Sequence, residues 1–110
     1  MRIVCILLIA LCPMMSVAAK EISNGGSHGK KLYTEHKCQI CHGPTGCNPV
    51  RDGYPVIAGQ NGTYLARQIF DIAEGVRDNS QSKLMRPMVK SISRKDVNAI
   101  AEYLSTQRCG

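Results

Sequence analysis

The chain has 110 residues, of which 44% are hydrophobic, and a formal net charge of +6 at pH 7. This length accommodates one small domain and excludes a chain of several domains. With no Trp, one Phe and four Tyr, its side chains alone would form only a thin core. The basic residues are scattered rather than clustered, so no nucleic-acid partner is indicated.

Residues 1–19 have the three parts of a secretory signal peptide. Arg2 provides the positive charge, residues 3–12 the apolar run, and residues 16–19 a small-residue cleavage site. Because the apolar run is shorter than the roughly 20 residues that span a bilayer, we expect a mature domain of residues 20–110 without a membrane span. Its location would be periplasmic or otherwise exported. Cleavage removes Arg2 and no acidic residue, which leaves a net charge of +5.

A short helix is predicted over residues 28–37, after a mobile leader over residues 20–27. Leu32 and Tyr33 fall on its inner side, and Gly29 would allow another helix to cross closely. His28 and His36 lie at its two ends, where we expect solvated side chains rather than metal ligands.

The strongest functional signal is the Cys-x-x-Cys-His motif at residues 38–42. In this pattern for covalent haem attachment, the thiols of Cys38 and Cys41 add to the vinyl groups and His42 binds iron. The alternatives are a redox dithiol, a zinc site completed by Cys47, and a disulfide between Cys38 and Cys41. No strand precedes the motif, adjacent Cys41 and His42 fit a tetrahedral centre poorly, and a simple disulfide gives His42 no role. We therefore favour one covalently bound haem c.

Residues 43–62 form a loop with five Gly and three Pro in twenty positions. An iron-bound imidazole usually donates its second ring N–H to a carbonyl or carboxylate, which fixes its orientation. We expect that acceptor to lie in this loop, and the backbone carbonyl of Pro55 is the candidate. The alternative is that Pro55 is an ordinary turn proline.

A second helix is predicted over residues 64–74, with Asn61 as its N-cap and Gly75 at its end. The Asn-Gly-Thr at residues 61–63 also matches a glycosylation sequon, which is the minor interpretation. Apolar residues recur at spacings of four, three and four and predict one buried face: Leu65, Ile69, Ile72 and Val76.

Two methionines, Met85 and Met88, follow a polar connector over residues 77–83. Methionine in a small domain is most often core filler. A haem iron bound by His42 still requires a sixth ligand, and we predict Met88 for that role with Met85 as the second choice.

A terminal helix is predicted after Ser93, the N-cap candidate, with Asp96 near its positive end. We expect it to cross the first helix near Gly29. Its buried stripe contains four residues: Val97, Ile100, Ala101 and Leu104.

Taken together, these motifs resemble the class I cytochromes c over residues 29–107. The matching parts are Gly-x-x-Leu-Tyr, Cys-x-x-Cys-His-Gly, Tyr-Pro-Val-Ile-Ala-Gly-Gln, Met-x-x-Met and Ser-x-x-Asp before a helix ending Glu-Tyr-Leu. The chain is most similar to a single domain of the bacterial dihaem cytochromes c, and its single haem motif predicts a monohaem protein. The resemblance implies an all-α fold of three to five helices around the haem. It also implies His42 and Met88 as iron ligands, with Pro55 orienting His42.

Cys47 and Cys109 depart from the family pattern. In an exported protein, two leftover cysteines suggest a disulfide, here between the loop after the haem motif and the chain end. Free thiols or an intermolecular bridge are the alternatives.

The resemblance implies a single-electron carrier rather than an enzyme, because an iron with both axial positions filled has no site for substrate. A basic surface would attract redox partners with acidic docking surfaces. The second hypothesis is an electron-transfer subunit of a larger periplasmic oxidoreductase. The third is a haem sensor or peroxidase with an open sixth position.

Overall fold

A computed structural model of the chain describes residues 25–110, and the signal peptide predicted over residues 1–19 lies outside this range. Over residues 25–110 the protein is all-α, without strands, as predicted. None of the helices in this range is long and apolar enough to cross a bilayer. The five helices are α1 (Gly25–Glu35), α2 (Gln39–His42), α3 (Gly62–Glu74), α4 (Ser82–Val89) and α5 (Arg94–Ser105).

The crossing of α1 and α5 forms the centre of the core, and it occurs at Gly29 as expected. A Cβ atom added to Gly29 would overlap the Ala99 carbonyl oxygen and lie 2.6 Å from Cβ of Tyr103. Tyr33 is 0% exposed, and its ring centroid lies 5.6 Å from that of Tyr103. The absence of a side chain at Gly29 thus lets the two backbones approach while the aromatic rings fill the space beside them.

The end of α1 sets the position of the haem motif. Lys37 adopts a left-handed conformation with φ 62°. Its N–H donates to the Thr34 carbonyl and the Cys38 N–H to the Tyr33 carbonyl, both at 3.0 Å, which is the Schellman pattern. The reversal places Cys38 directly after the helix and fixes the start of α2.

Both ends of α1 differ from the prediction. The helix begins at Gly25, so residues 25–27 belong to it rather than to the predicted leader. It ends at Glu35 because Lys37 is left-handed. Gly25 and Gly26 have little helix propensity of their own. Packing of Leu32 and Tyr33 in the core stabilises the helix that contains them.

The boundaries of α3 follow the predicted signals. Oδ1 of Asn61 accepts a hydrogen bond from the Tyr64 N–H at 3.0 Å, and Gly75 ends the helix with φ 79°. The predicted apolar face is wrong at Val76, which is 73% exposed. The left-handed turn at Gly75 directs the chain away before Val76 can join that face.

Residues 82–89 form α4, a helix that the sequence analysis did not predict. Pro87 lies inside it and lacks the N–H that a helix interior normally uses. α4 packs against α3, and Nε of Arg86 donates to the carbonyl oxygen of Ile72 at 3.2 Å. α5 then begins after Ser93, whose Oγ accepts from the Asp96 N–H at 3.1 Å, as predicted.

Candidate haem site

A mostly apolar cavity lies between the Cys-x-x-Cys-His motif and helices α3, α4 and α5. Cys38, Cys41 and His42 border it, and so do Met85 and Met88 of α4. The apolar part of its wall comes from four helices, the loop after α2 and the α4–α5 connection: Tyr33, Ile57, Leu65, Ile69, Ile72, Val89, Ile92, Val97, Ile100 and Leu104. The fold therefore brings the predicted thiols, imidazole and thioethers to one space.

Cys38 and Cys41 are the free thiols among the four cysteines of residues 25–110. Cys38 is half-buried and Cys41 is exposed. Burial, together with the charge of a Cys41 thiolate, raises the pKa of the Cys38 thiol to about 11 against a weaker opposing backbone hydrogen bond. Two free thiols on one helical turn beside an apolar cavity fit two thioether attachments.

The zinc alternative loses its fourth ligand in this structure. Cys47, the residue that would have completed such a site, is bonded to Cys109. Over the described part of the chain, no three His, Cys, Asp or Glu side chains are grouped in a way that could hold a metal ion. The arrangement at residues 38–42 therefore favours haem attachment over a tetrahedral zinc centre.

The imidazole of His42 is buried, with 8% of its surface exposed. Its Nδ1–H donates to the carbonyl oxygen of Pro55 at 3.2 Å, the contact expected from the sequence. Burial lowers the pKa of His42, and the Pro55 carbonyl opposes this to a lesser extent. The ring is therefore neutral near pH 7 and keeps the lone pair of Nε2 for a metal.

Tyr33 stabilises the backbone next to His42, a role that the sequence analysis did not assign. Its hydroxyl donates to the Gly43 carbonyl oxygen at 2.6 Å, next to His42 in the chain. Gly43 has φ 81°, and a Cβ atom there would overlap the Asn48 carbonyl oxygen. The Tyr of the Gly-x-x-Leu-Tyr motif was the available signal, but only its inward orientation was predicted.

A cation lies on the polar part of the cavity wall. Nη1 of Arg77 donates to Oε1 of Gln68 at 2.9 Å, and Nε donates to Oδ1 of Asn79 at 3.4 Å. Both Arg77 and Gln68 border the cavity. The ion pairs found within residues 25–110 do not include Arg77. Sequence reasoning missed this site, because residues 77–83 have no periodic pattern.

The two methionines of α4 differ in exposure. Met88 is 45% exposed, whereas Met85 is partly buried. The buried face of α4 carries Ser82 and Val89, and Met85 is three and four residues from them. Met85 therefore lies closer to the packed side of the helix.

Cys47 and Cys109 form a disulfide, the pairing that the sequence analysis favoured. Their Cα atoms are 5.5 Å apart, and 62 positions separate them in the chain. The bond joins the loop after the haem motif to the end of the chain.

A family model described as cytochrome c matches residues 27–108. The chain belongs to the cytochrome c family. As a class I cytochrome c it contains covalently bound haem c, and the cavity residues fit that group. Thiols for covalent attachment, a neutral imidazole and an apolar wall are all present at the cavity.

The relatives of this cytochrome c include larger proteins. Cytochrome c4 of Azotobacter vinelandii is 37% identical over 93 residues, which are 84% of this chain and 43% of that protein. A protein of Stutzerimonas stutzeri named thiosulfate dehydrogenase electron acceptor is 36% identical over 69 residues, 63% of this chain and 32% of that one. The crystal structure of reduced cytochrome c4 from Pseudomonas stutzeri matches with a TM-score of 0.65 and 28% identity, covering 76% of this chain and 48% of that one. This cytochrome c therefore spans less than half the length of each of these relatives and corresponds to a single domain.

Proposed function

We propose that this cytochrome c is a periplasmic single-electron carrier and not an enzyme, with iron ligated by His42 and by a methionine of α4. The shared cavity is the observation that carries the proposal. Two free thiols, an imidazole hydrogen-bonded to Pro55 and two thioether side chains all border one apolar space.

Each set of cavity residues would hold a different part of the haem. Cys38 and Cys41 would attach the vinyl edge, and Nε2 of His42 would bind iron. Arg77, a cation with neutral partners, would receive a propionate carboxylate, since arginine pairs well with carboxylates. When bound, the haem supplies an iron that alternates between the ferrous and ferric states.

The surrounding protein would set the potential of that iron. The apolar wall excludes water, which disfavours the more highly charged ferric form, and a thioether ligand acts in the same direction. A moderately positive potential follows. With His42 on one side and a methionine on the other, no position would remain for a substrate.

The choice between the methionines rests on their burial. The sequence analysis predicted Met88 as the sixth ligand and Met85 as the second choice. In the structure, however, Met88 is 45% exposed, whereas Met85 is partly buried beside the packed face of α4. An axial ligand is held more firmly when packing restricts its rotamers, because less side-chain entropy is lost on binding. We therefore favour Met85 as the sixth ligand and Met88 as the second choice.

The location and partners are inferred from charge and from relatives. The signal sequence predicted over residues 1–19 supports export, and the net charge of +5 that remains supports partners with acidic docking surfaces. The relative named thiosulfate dehydrogenase electron acceptor supports a dehydrogenase as electron donor. The second candidate function is an electron-transfer subunit that remains bound to its oxidoreductase.

The ligand set is tested by the absorption spectrum of the oxidised holoprotein. Thioether ligation gives ferric haem a weak band at the red end of the spectrum, which we expect in the wild type. Met85→Leu should abolish the band and Met88→Leu should retain it. The reverse result would assign Met88 instead, and a band that survives both substitutions would overturn methionine ligation from α4.

The carrier function is tested with carbon monoxide and by size-exclusion chromatography. A ferrous spectrum that does not change on addition of carbon monoxide is expected for an iron with both axial positions filled. A rapid change would overturn the carrier proposal in favour of a sensor or peroxidase. Elution of the native protein at the size of one chain would separate a diffusible carrier from a bound subunit.

A further inference from the structure

The Cys47–Cys109 disulfide lies outside the haem cavity, but Cys47 belongs to the loop that contains Pro55. Neither cysteine borders the cavity. Cys47 is preceded by Gly46, and Cys109 belongs to the irregular segment after α5, which ends at Ser105. The disulfide is therefore connected to the cavity through the backbone of this loop.

Gly46 is the point at which two parts of the loop are joined. Its carbonyl oxygen accepts hydrogen bonds from the N–H groups of Ile57 at 3.0 Å and Ala58 at 3.2 Å. Gly46 has φ 80°, and a Cβ atom there would lie 2.9 Å from Cδ2 of Leu104. The position of Gly46 thus fixes residues that follow Pro55 by two and three positions.

Pro55 has few means of holding its own position. It is exposed, lies outside any helix and has no N–H to donate. The neighbouring backbone is held instead, by the two bonds to Gly46 and by the Gly59 N–H, which donates to the Leu104 carbonyl at 2.8 Å. The direction of the Pro55 carbonyl therefore depends on the Gly46 junction.

The chain end approaches the same region. The Gln107 N–H donates to the Leu104 carbonyl at 3.1 Å, and a Cβ atom on Gly59 would lie 3.2 Å from the Gln107 carbonyl oxygen. Two residues later, Cys109 is covalently bonded to Cys47. The disulfide thereby closes a ring of contacts around residues 46–59.

We propose that the Cys47–Cys109 disulfide is a positioning element for His42. It holds Gly46, Gly46 holds the segment after Pro55, and the Pro55 carbonyl sets the imidazole ring through the 3.2 Å bond to Nδ1. The inference rests on the proposed role of His42 as an iron ligand. Opening the disulfide should let water compete for the Nδ1–H and should change the electron donation of the imidazole to iron.

The test compares holoprotein in which both cysteines are serine with wild-type holoprotein. The first measurement is the exchange rate of the His42 Nδ1 proton with solvent in the ferrous state, by NMR. The second is the midpoint potential. We expect Nδ1–H exchange to accelerate by roughly tenfold in the Cys47→Ser/Cys109→Ser variant, as for a locally opened segment. We also expect the potential to shift.

Ala101→Gly provides a control that destabilises the core at a residue outside the segment 46–59. Ala101 is buried in α5 and does not border the cavity. The Ala101→Gly substitution should lower the unfolding midpoint while leaving the exchange rate of the His42 Nδ1 proton and the midpoint potential at their wild-type values. Equal changes in both variants would reduce the disulfide to a general stabiliser and would overturn the proposal.

The single variants Cys47→Ser and Cys109→Ser should each reproduce the double variant, since each removes the same bond. An effect confined to Cys47→Ser would indicate local packing at residue 47 and would contradict the proposal. Wild-type exchange and potential in all open variants would also contradict it. Failure of the proposed function is distinguishable, because the wild type itself would then lack the spectrum of a histidine–methionine haem.

Discussion

The hydroxyl of Tyr33 donates a hydrogen bond of 2.6 Å to the carbonyl oxygen of Gly43, the residue that follows His42. This contact joins the centre of the α1–α5 core to the haem motif. Because Tyr33 is fully buried, water cannot replace the bond when it is removed. A direct hydrogen bond thereby connects the core to the residue next to His42.

Tyr33→Phe should destabilise the holoprotein by about 1–3 kcal/mol, since it leaves the Gly43 carbonyl buried without a donor. Guanidinium unfolding followed by haem absorbance would measure the loss. Tyr64→Phe is the matched control, because Tyr64 is 52% exposed and should tolerate the change within about 0.5 kcal/mol. Equal stability of the two variants would contradict the assigned role of Tyr33.

Tyr33 should also make stability depend on alkaline pH. Burial is the main cause that raises its pKa above the ordinary value, so the folded state keeps the phenol protonated where the unfolded chain loses the proton. The contribution is fully present below a pH of about 10, the unfolded value, and declines as pH rises above it. Unfolding midpoints of wild type and Tyr33→Phe should converge at high pH. A constant difference between them would contradict this.

Two α1 glycines should respond oppositely to alanine. Gly29→Ala forces a Cβ atom into the Ala99 carbonyl and should cost about 2–3 kcal/mol of unfolding free energy. Gly26 has nothing within 4 Å of its Cβ position, so Gly26→Ala should be neutral or stabilise by up to about 1 kcal/mol. Thermal unfolding of the two holoproteins would compare them. A tolerated Gly29→Ala would mean that the crossing is looser than the structure indicates.

Lys37 offers a stabilising substitution. A non-glycine residue in the left-handed conformation is strained by roughly 1–2 kcal/mol. Glycine removes this strain, but its larger conformational entropy in the unfolded chain offsets part of the gain. Lys37→Gly should therefore raise the free energy of unfolding by about 0.5–1 kcal/mol. The same change at Lys30, which is exposed inside α1, should lower it by about 1 kcal/mol. Destabilisation by both would show that the Lys37 side chain contributes more than its backbone strain costs.

Most of the correct predictions of the fold came from two local signals, helical periodicity and capping residues. α3 and α5 have sustained helical periodicity, and the side chains of Asn61 and Ser93 cap them within three residues. α4 was missed because its eight residues contain Pro87, whose usual effect is to end a helix. Val76 was misassigned because its periodicity continues past Gly75, whereas the backbone does not.

Contacts between distant residues explain what the sequence missed at the site. The carbonyl of Pro55 could be predicted, since an iron-bound imidazole needs an acceptor and the following loop is the nearest source. The bond from Tyr33 to Gly43 and that from Arg77 to Gln68 depend instead on how whole helices pack. No residue pattern near Arg77 indicates that its side chain reaches the cavity.

Arg77→Gln should lower the midpoint potential of the haem. A guanidinium beside the cavity would stabilise the extra electron of the ferrous state, and because Arg77 is partly buried its charge is only weakly screened. Glutamine keeps hydrogen-bonding capacity but removes the charge. Arg67→Gln is the control, because Arg67 is exposed on α3 and does not border the cavity, so its loss should change the potential much less. Voltammetry at low and high salt would distinguish the two, since the smaller Arg67 effect should disappear with salt while that of Arg77 persists. Equal, salt-sensitive shifts would place Arg77 in solvent rather than against the haem.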